Sequence, residues 1–212
     1  MAAISVLINR ARKIVQHSAT TRYADDTDSF LGWAAAAQRY IIAAAKDEAI
    51  PGLMKSLTGQ TLTSGTASYA LPADFVRLQQ GGPAYPLPWA RSIATNTNNW
   101  ALVVPRGWQS LFDTNGYYKG TQTRPFATLA DGKFYLSPTP NANGTYDLHY
   151  VRDGADFTAT TIAVDLPDYL FDPMVFLMAE EAFIGDEKLD QAAYAHKKAD
   201  SFIAIVNQRY AV

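Results

Sequence analysis

Three histidines, His17, His149 and His196, carry what acid–base or metal chemistry this chain could offer. They lie far apart in sequence. Only His196 has carboxylates, Asp190 and Asp200, at near-helical spacing, and a place on a helix rim explains it without a metal. His149 sits mid-strand and suits a cross-strand or interface role. Nucleophilic catalysis needs a serine or threonine beside a histidine with an orienting acid. Ser68, Ser110 and Ser137 are present, but no Gly-x-Ser-x-Gly elbow frames them. Glu180 and Glu181 are adjacent on a helix and cannot face each other, so they read as a solvated rim. Neither phosphate-binding glycine pattern occurs. With no cysteine, thiolate chemistry and disulfides are excluded. The expectation is no enzyme, no metal and no cofactor.

Aromatic residues offer a different chemistry. Trp89, Trp100 and Trp108 fall in a stretch that also holds the run Asn96-Thr97-Asn98-Asn99. Such a set can make a sugar-binding platform, although nothing fixes the three rings in one strip. The same stretch is poor in charge. Residues 53–123 carry seven charged groups in 71 residues, about 10%, against 18% for the whole chain. Charge depletion with tryptophan and tyrosine enrichment is the composition of an interface core. Part of this stretch is therefore expected to lie against other subunits or the tail partner, with Trp89, Trp100, Trp108, Tyr117 and Tyr118 as anchors; the alternative is a second monomeric core with polar loops.

The elements that position these residues follow from periodicity. Residues 3–17 place Ile4, Leu7, Ile8, Ala11, Ile14 and Val15 on one helical face. The cluster Asp25-Asp26-Thr27-Asp28 precedes a second helix with the stripe Phe30, Trp33, Ala34, Ala37, Ile41 and Ala44. Pro51-Gly52 ends that segment. Residues 60–165 read as β structure with long loops. Residues 134–136 and 146–151, separated by Asn141-Ala142-Asn143-Gly144, read as a hairpin, and residues 161–165 as a last short strand. Helix returns after Leu166-Pro167-Asp168, with Asp172 as N-cap and Pro173 as first helical residue, or as a kink. Gly185-Asp186 divides it from a final helix marked by Leu189, Ala192, Ala193, His196, Ala199, Ile203, Val206 and Tyr210.

The expected fold is α+β: a four-helix bundle from the N- and C-terminal helix pairs with a β-rich insertion in the middle. The pieces are residues 1–52, residues 53–165, and residues 166–212 including a tail. At 212 residues, 48% hydrophobic, the chain needs no covalent staple. No window is long and apolar enough for a membrane span, and no signal pattern opens the chain. Net charge is −2, which argues against a generic nucleic-acid binder. It is unevenly spread: residues 53–123 sum to +3 and residues 147–212 to −7.

Four blocks in order carry a family resemblance. They are Thr21-Arg22-Tyr23-Ala24-Asp25 followed by Trp33-Ala34-Ala35-Ala36-Ala37-Gln38-Arg39-Tyr40-Ile41, and the run Tyr69-Ala70-Leu71-Pro72-Ala73-Asp74-Phe75-Val76-Arg77-Leu78. The third is Lys133-Phe134-Tyr135-Leu136-Ser137-Pro138-Thr139-Pro140 before residues 146–151, and the fourth Leu166-Pro167-Asp168-Tyr169 before two helices with Gly185-Asp186-Glu187 between them. Together they resemble the bacteriophage head-to-tail adaptor proteins, also called connector, head-completion or tail accessory factors. About 60% of the chain is covered; residues 80–130 have no counterpart.

The resemblance implies a virion structural protein, made in the host cytoplasm and placed at the head–tail junction. It implies a homo-oligomeric ring, typically of twelve copies, docked under the portal protein, extending the DNA channel and presenting a platform for tail tube, nozzle or fibres. DNA would pass without specific binding, and acidic residues from 147–200 would face the channel. The tail Asn207, Gln208, Arg209, Tyr210, Ala211 and Val212 is the expected arm for portal docking. Alternatives are another tail structural protein, a terminator or fibre-attachment part, and the tryptophan-based sugar-binding module.

Overall fold

A computed structural model describes residues 2–16, 27–79, 93–95, 99–104 and 120–210. The described residues form an α+β structure with four α-helices and two small sheets. The chain divides into two compact units. One, the helical unit, is Met1–Leu53 with Asp153–Val212; the other, the β unit, is Met54–Arg152. Residues 153–165, read from sequence with the β insertion, cluster with the helices instead.

The helical unit contains α1 (Ile4–Gln16), α2 (Thr27–Ala44), α3 (Phe171–Gly185) and α4 (Leu189–Arg209). α3 packs against each of the other three. Its sequence explains this position, because Phe171, Met174, Val175, Leu177, Met178, Ala179, Ala182 and Phe183 are all buried. A helix that is apolar on nearly every side belongs in the middle of its neighbours. α1 buries Ile4, Leu7, Ile8, Ala11 and Val15, as its period requires.

Residues 160–164 do not form a strand. Ala3 and Ala163 make a single bridge, and the segment mainly caps α1. The Ile4 N–H donates to Ile162 O (2.9 Å) and the Ser5 N–H to Thr160 O (3.1 Å). Two amide donors that α1 itself cannot satisfy are thereby satisfied.

α2 buries a wider stripe than its alternation suggested, taking in Leu31, Gln38 and Ile42 and leaving Ala44 exposed. α3 starts at Phe171 with Leu170 as its N-cap, so Asp172 is not the cap. Pro173 falls in the first turn, where its missing N–H removes no helical bond. Arg10 pairs with Asp172 and so ties α1 to the start of α3. Asp186 is the C-cap of α3 and Lys188 the N-cap of α4.

Among the described residues, the β unit has nine strands. β1 (Met54–Leu62), β9 (Gly144–Arg152), β4 (Ile93–Thr95) and β5 (Asn99–Trp100) run in that order in one sheet, and β3 (Phe75–Leu78) also pairs with β9. β2 (Ser68–Ala70), β8 (Lys133–Ser137), β7 (Phe126–Ala130) and β6 (Leu102–Val103) make the other. The hairpin expected between residues 134–136 and 146–151 does not form. β8 pairs with β7 and β2, while β9 lies in the other sheet. Pro138 and Pro140 supply no N–H in the connection, so the ladder cannot continue through it.

β8 turns instead from β7 through Asp131 and Gly132, both with positive φ (52° and 69°). This two-residue Asp-Gly link suits the twist of a hairpin, and glycine adopts that conformation without a Cβ clash. Tyr69, Ile93, Phe134, Leu136, Leu148 and Tyr150 anchor the core between the strands. Tyr69 stacks on Phe134 at 5.3 Å, and Tyr146 meets Phe134 edge-on at 5.1 Å.

Candidate functional site

The sequence-derived anchors are only partly described. Trp100 lies on β5 opposite Ala94. Trp89, Trp108, Tyr117 and Tyr118 lie outside the described residues, as does the Asn96-Thr97-Asn98 run. Asn207, Gln208 and Arg209 form the last turn of α4 and Tyr210 caps it, so these four are not an extended arm. Ala211 and Val212 lie outside the described residues.

Asn207 reaches across to the end of α2. Its Nδ2 donates to Ala44 O at 3.0 Å, and its Oδ1 accepts the Lys46 N–H at 2.8 Å. Ala44 is the last residue of α2, whose carbonyl has no helical partner. One asparagine therefore closes a helix end and fastens α4 to α2.

A second polar cluster lies two to three turns earlier on the same face of α4 and joins it to α2 and α3. His196 Nδ1 lies 2.9 Å from Glu180 Oε2, and its Nε2 lies 3.5 Å from Asp200 Oδ2. The Tyr40 hydroxyl donates to Asp200 Oδ1 at 2.7 Å and its ring meets the imidazole edge-on at 5.5 Å. With a carboxylate at each ring nitrogen, the imidazolium, which has two N–H donors, is the form that fits. The Glu180 hydrogen bond outweighs desolvation and raises the His196 pKa. The Asp200 hydrogen bond, with burial, pushes the Tyr40 hydroxyl up to about 12. The Asp200 spacing was legible in sequence; Glu180, sixteen residues away on α3, was not.

The Ala-Gln-Arg block of α2 receives the chain as it leaves β9. Gln38 Nε2 donates to Ala155 O at 3.1 Å, and Arg39 Nε lies 3.4 Å from Asp153 Oδ2. Gly154 passes so close that a Cβ there would lie 2.0 Å from Gln38 Nε2. The backbone must approach the amide without a side chain between them.

In the β unit, the Leu-Pro turn is fixed in a similar way. The Phe75 N–H donates to Pro72 O, and Asp74 accepts from the Tyr150 hydroxyl (2.9 Å) and Lys55 Nζ (3.0 Å). Burial alone would raise the Asp74 pKa. The two hydrogen bonds and the lysine charge outweigh it, and the pKa is lowered. Ser56 Oγ lies 2.7 Å from His149 Nδ1, an arrangement that resembles a nucleophile and base. The two are a directly opposed cross-strand pair of β1 and β9. The neighbouring Asp147 carboxylate is turned to the Gly59 N–H at 2.7 Å. The pair therefore reads as a register-fixing contact.

Among the described residues, no group of three or more histidine, aspartate or glutamate side chains could hold a metal. No described helix is long and apolar enough to cross a membrane. The polar clusters are joints between elements.

The model of one protein family, described as SU10 adaptor protein, matches residues 2–211. No curated protein matches the chain. The match runs through both units, including residues 80–130, which the four sequence blocks left without a counterpart. The chain belongs to the SU10 adaptor protein family, a family of phage head–tail adaptors.

Proposed function

We propose that this adaptor acts as one subunit of a ring, of twelve copies, that docks under the portal, extends the DNA channel and attaches the tail. The family match over residues 2–211 carries this reading. On this reading the protein is a structural component of the virion at the head–tail junction, and not an enzyme. The helices, as a four-helix bundle, would meet the portal, with Asn207–Tyr210 and the two residues beyond at the docking end. The β insertion would carry Trp89, Trp100, Trp108, Tyr117 and Tyr118 toward neighbours and toward tail tube, nozzle or fibre proteins. A ring of this kind is held by heterologous contacts that close by rotation.

The test is reconstitution. Purified chain is mixed with purified portal, and the product is examined by sedimentation and by electron microscopy. The expected product is a portal carrying a second ring of equal symmetry, with the isolated chain monomeric or weakly associated. A chain that never binds portal but binds tail proteins would move it to the terminator or fibre-attachment class. Binding of glycans by the monomer would favour the tryptophan platform instead.

A further inference from the structure

α4 carries more apolar bulk on its outer face than a helix that only closes a monomer needs. Its buried stripe is Ala192, Ala195, Ala199, Ile203 and Val206, three of them alanines. Two of its large apolar side chains face out all the same, Tyr194 61% and Ile205 49% exposed. A surface helix ordinarily buries its large residues and shows its small ones. Residues 194, 198, 201, 205 and 209 share one outer strip by helical spacing. Lys198 and Arg209 belong to it, the Lys198 Nζ 5.5 Å from the Tyr194 ring, and Lys197 borders it. The strip runs along a helix of 21 residues, about 32 Å long. Aromatic and cationic residues together are the make-up of binding hot spots.

The charges around it are divided by position. Residues 191–212 carry Lys197, Lys198 and Arg209 against Asp200 alone, and Asp200 is turned to Tyr40 and His196. Residues 153–190 carry ten carboxylates against Lys188 alone, a net −9. Of these, Asp172 pairs with Arg10, Asp153 and Asp156 with Arg39, Asp186 with Lys188 and Glu180 with His196, while Asp168, Glu181, Glu187 and Asp190 are exposed. The outer strip of α4 is therefore cationic with an apolar centre, and three exposed carboxylates, Glu181, Glu187 and Asp190, gather about the α3–α4 turn. Two different, complementary patches on one chain are what a head-to-tail contact between copies requires.

We propose that the outer strip of α4, centred on Tyr194, Lys198 and Ile205, docks on the exposed carboxylates about the α3–α4 turn, Glu181, Glu187 and Asp190, in a second copy of this chain. The contact rests on the ring reading and specifies which surfaces meet. It is electrostatically steered and wet at its rim, so salt weakens it.

Charge reversal on each side tests it. Lys197→Glu with Lys198→Glu makes the strip acidic; Glu181→Lys with Glu187→Lys makes the opposite surface less acidic and locally basic. Each full-length variant is first shown to keep the wild-type circular dichroism and melting midpoint. Self-association is then read by sedimentation at high protein concentration, in low and high salt. Each variant alone should associate at least about tenfold more weakly than wild type, because like charges meet. An equimolar mixture of the two should recover association, since each supplies the sign the other lacks. High salt should weaken the wild type.

Variants that associate as wild type does, or a mixture that does not recover, overturn the contact. So does wild type that stays monomeric in low salt. If rings still form on portal in any of those cases, the ring reading stands and only this surface is lost. Failure of every chain to ring on portal would defeat the reading itself. Retention of duplex DNA by wild type, lost in the Lys197→Glu, Lys198→Glu variant, would reassign the strip to nucleic acid.

Discussion

α3 and α4 are consecutive helices joined by a tight turn, and they are held in different ways. α3 is surrounded, with bulky side chains buried along its length. α4 is bound along a stripe made largely of alanine and is fastened by side chains, Asn207 at one end and His196 with Asp200 in the middle. Burial stabilises in proportion to apolar area, so an alanine stripe contributes far less per turn than methionine and leucine. The polar bonds of α4 matter more because its packing is weaker. The difference shows how a helix can be kept in place while two of its large residues, Tyr194 and Ile205, stay outside.

The largest effect should come from α3. Met178 is fully buried, and Met178→Ala removes its packing where the surroundings cannot collapse freely. A loss of about 2–5 kcal/mol is expected, read by urea or thermal unfolding. A loss below about 1 kcal/mol would break the comparison, since α3 would then not be the member held by burial. Next is Gly154→Ala, which sets a Cβ against the amide of Gln38, a residue only 2% exposed whose amide must give up its bond to Ala155 O to move aside. About 1–3 kcal/mol is expected from overpacking. A neutral result would show that the junction held by Gln38 and Arg39 gives way easily.

What the sequence made legible follows the same line. α1, α3 and the inner positions of α4 stood out because their apolar residues recur with one period and large burial. Leu189 fitted that period and proved exposed, since pattern alone does not say which side a partner covers. β1 was not legible. Its exposed Lys55, Ser56, Thr58 and Thr61 lack the β-branched apolar alternation, and its register slips between Leu57 and Gln60. The Asp131-Gly132 link could have been read as the hairpin turn. The asparagine-rich segment at 141–144 drew the assignment because it lies between two apolar runs. The joints were the least visible part: Glu180 with His196, Gln38 with Ala155 and Asn207 with Ala44 join residues that only the tertiary fold brings together.

Asn207→Ala should cost less than either change above. It removes two hydrogen bonds and reopens the end of α2, for about 1 kcal/mol. At this chain length the melting midpoint should fall by about 2–4 °C. The comparison also specifies where the loss appears. Hydrogen exchange should quicken in the last turns of α4 and α2 and leave α3 as it was. Equal acceleration in α3 would mean that the helices open as one body and that α4 is not separately fastened.

The smallest effect lies in the other fastening and is recognisable by its pH dependence. The Glu180 hydrogen bond and the two nearby carboxylates raise the His196 pKa in the folded state above its ordinary 6.5, against the opposing pull of burial. The folded chain thus holds the proton more tightly than the unfolded one. The stabilisation is complete below the unfolded value and is lost as pH rises through the folded one. His196→Gln removes this contribution, so wild type should exceed the variant most in mildly acid solution, and the gap should narrow as pH rises to about 8.5. Tyr40, pushed up to about 12, keeps its proton as pH rises through neutral. A titration of His196 followed by NMR should have its midpoint above 6.5. A gap that widens with pH, or a midpoint below 6.5, would mean that the neutral imidazole is the one held. α4 would then rest on its alanine stripe and Asn207 alone, and the contrast with α3 would lose its electrostatic half.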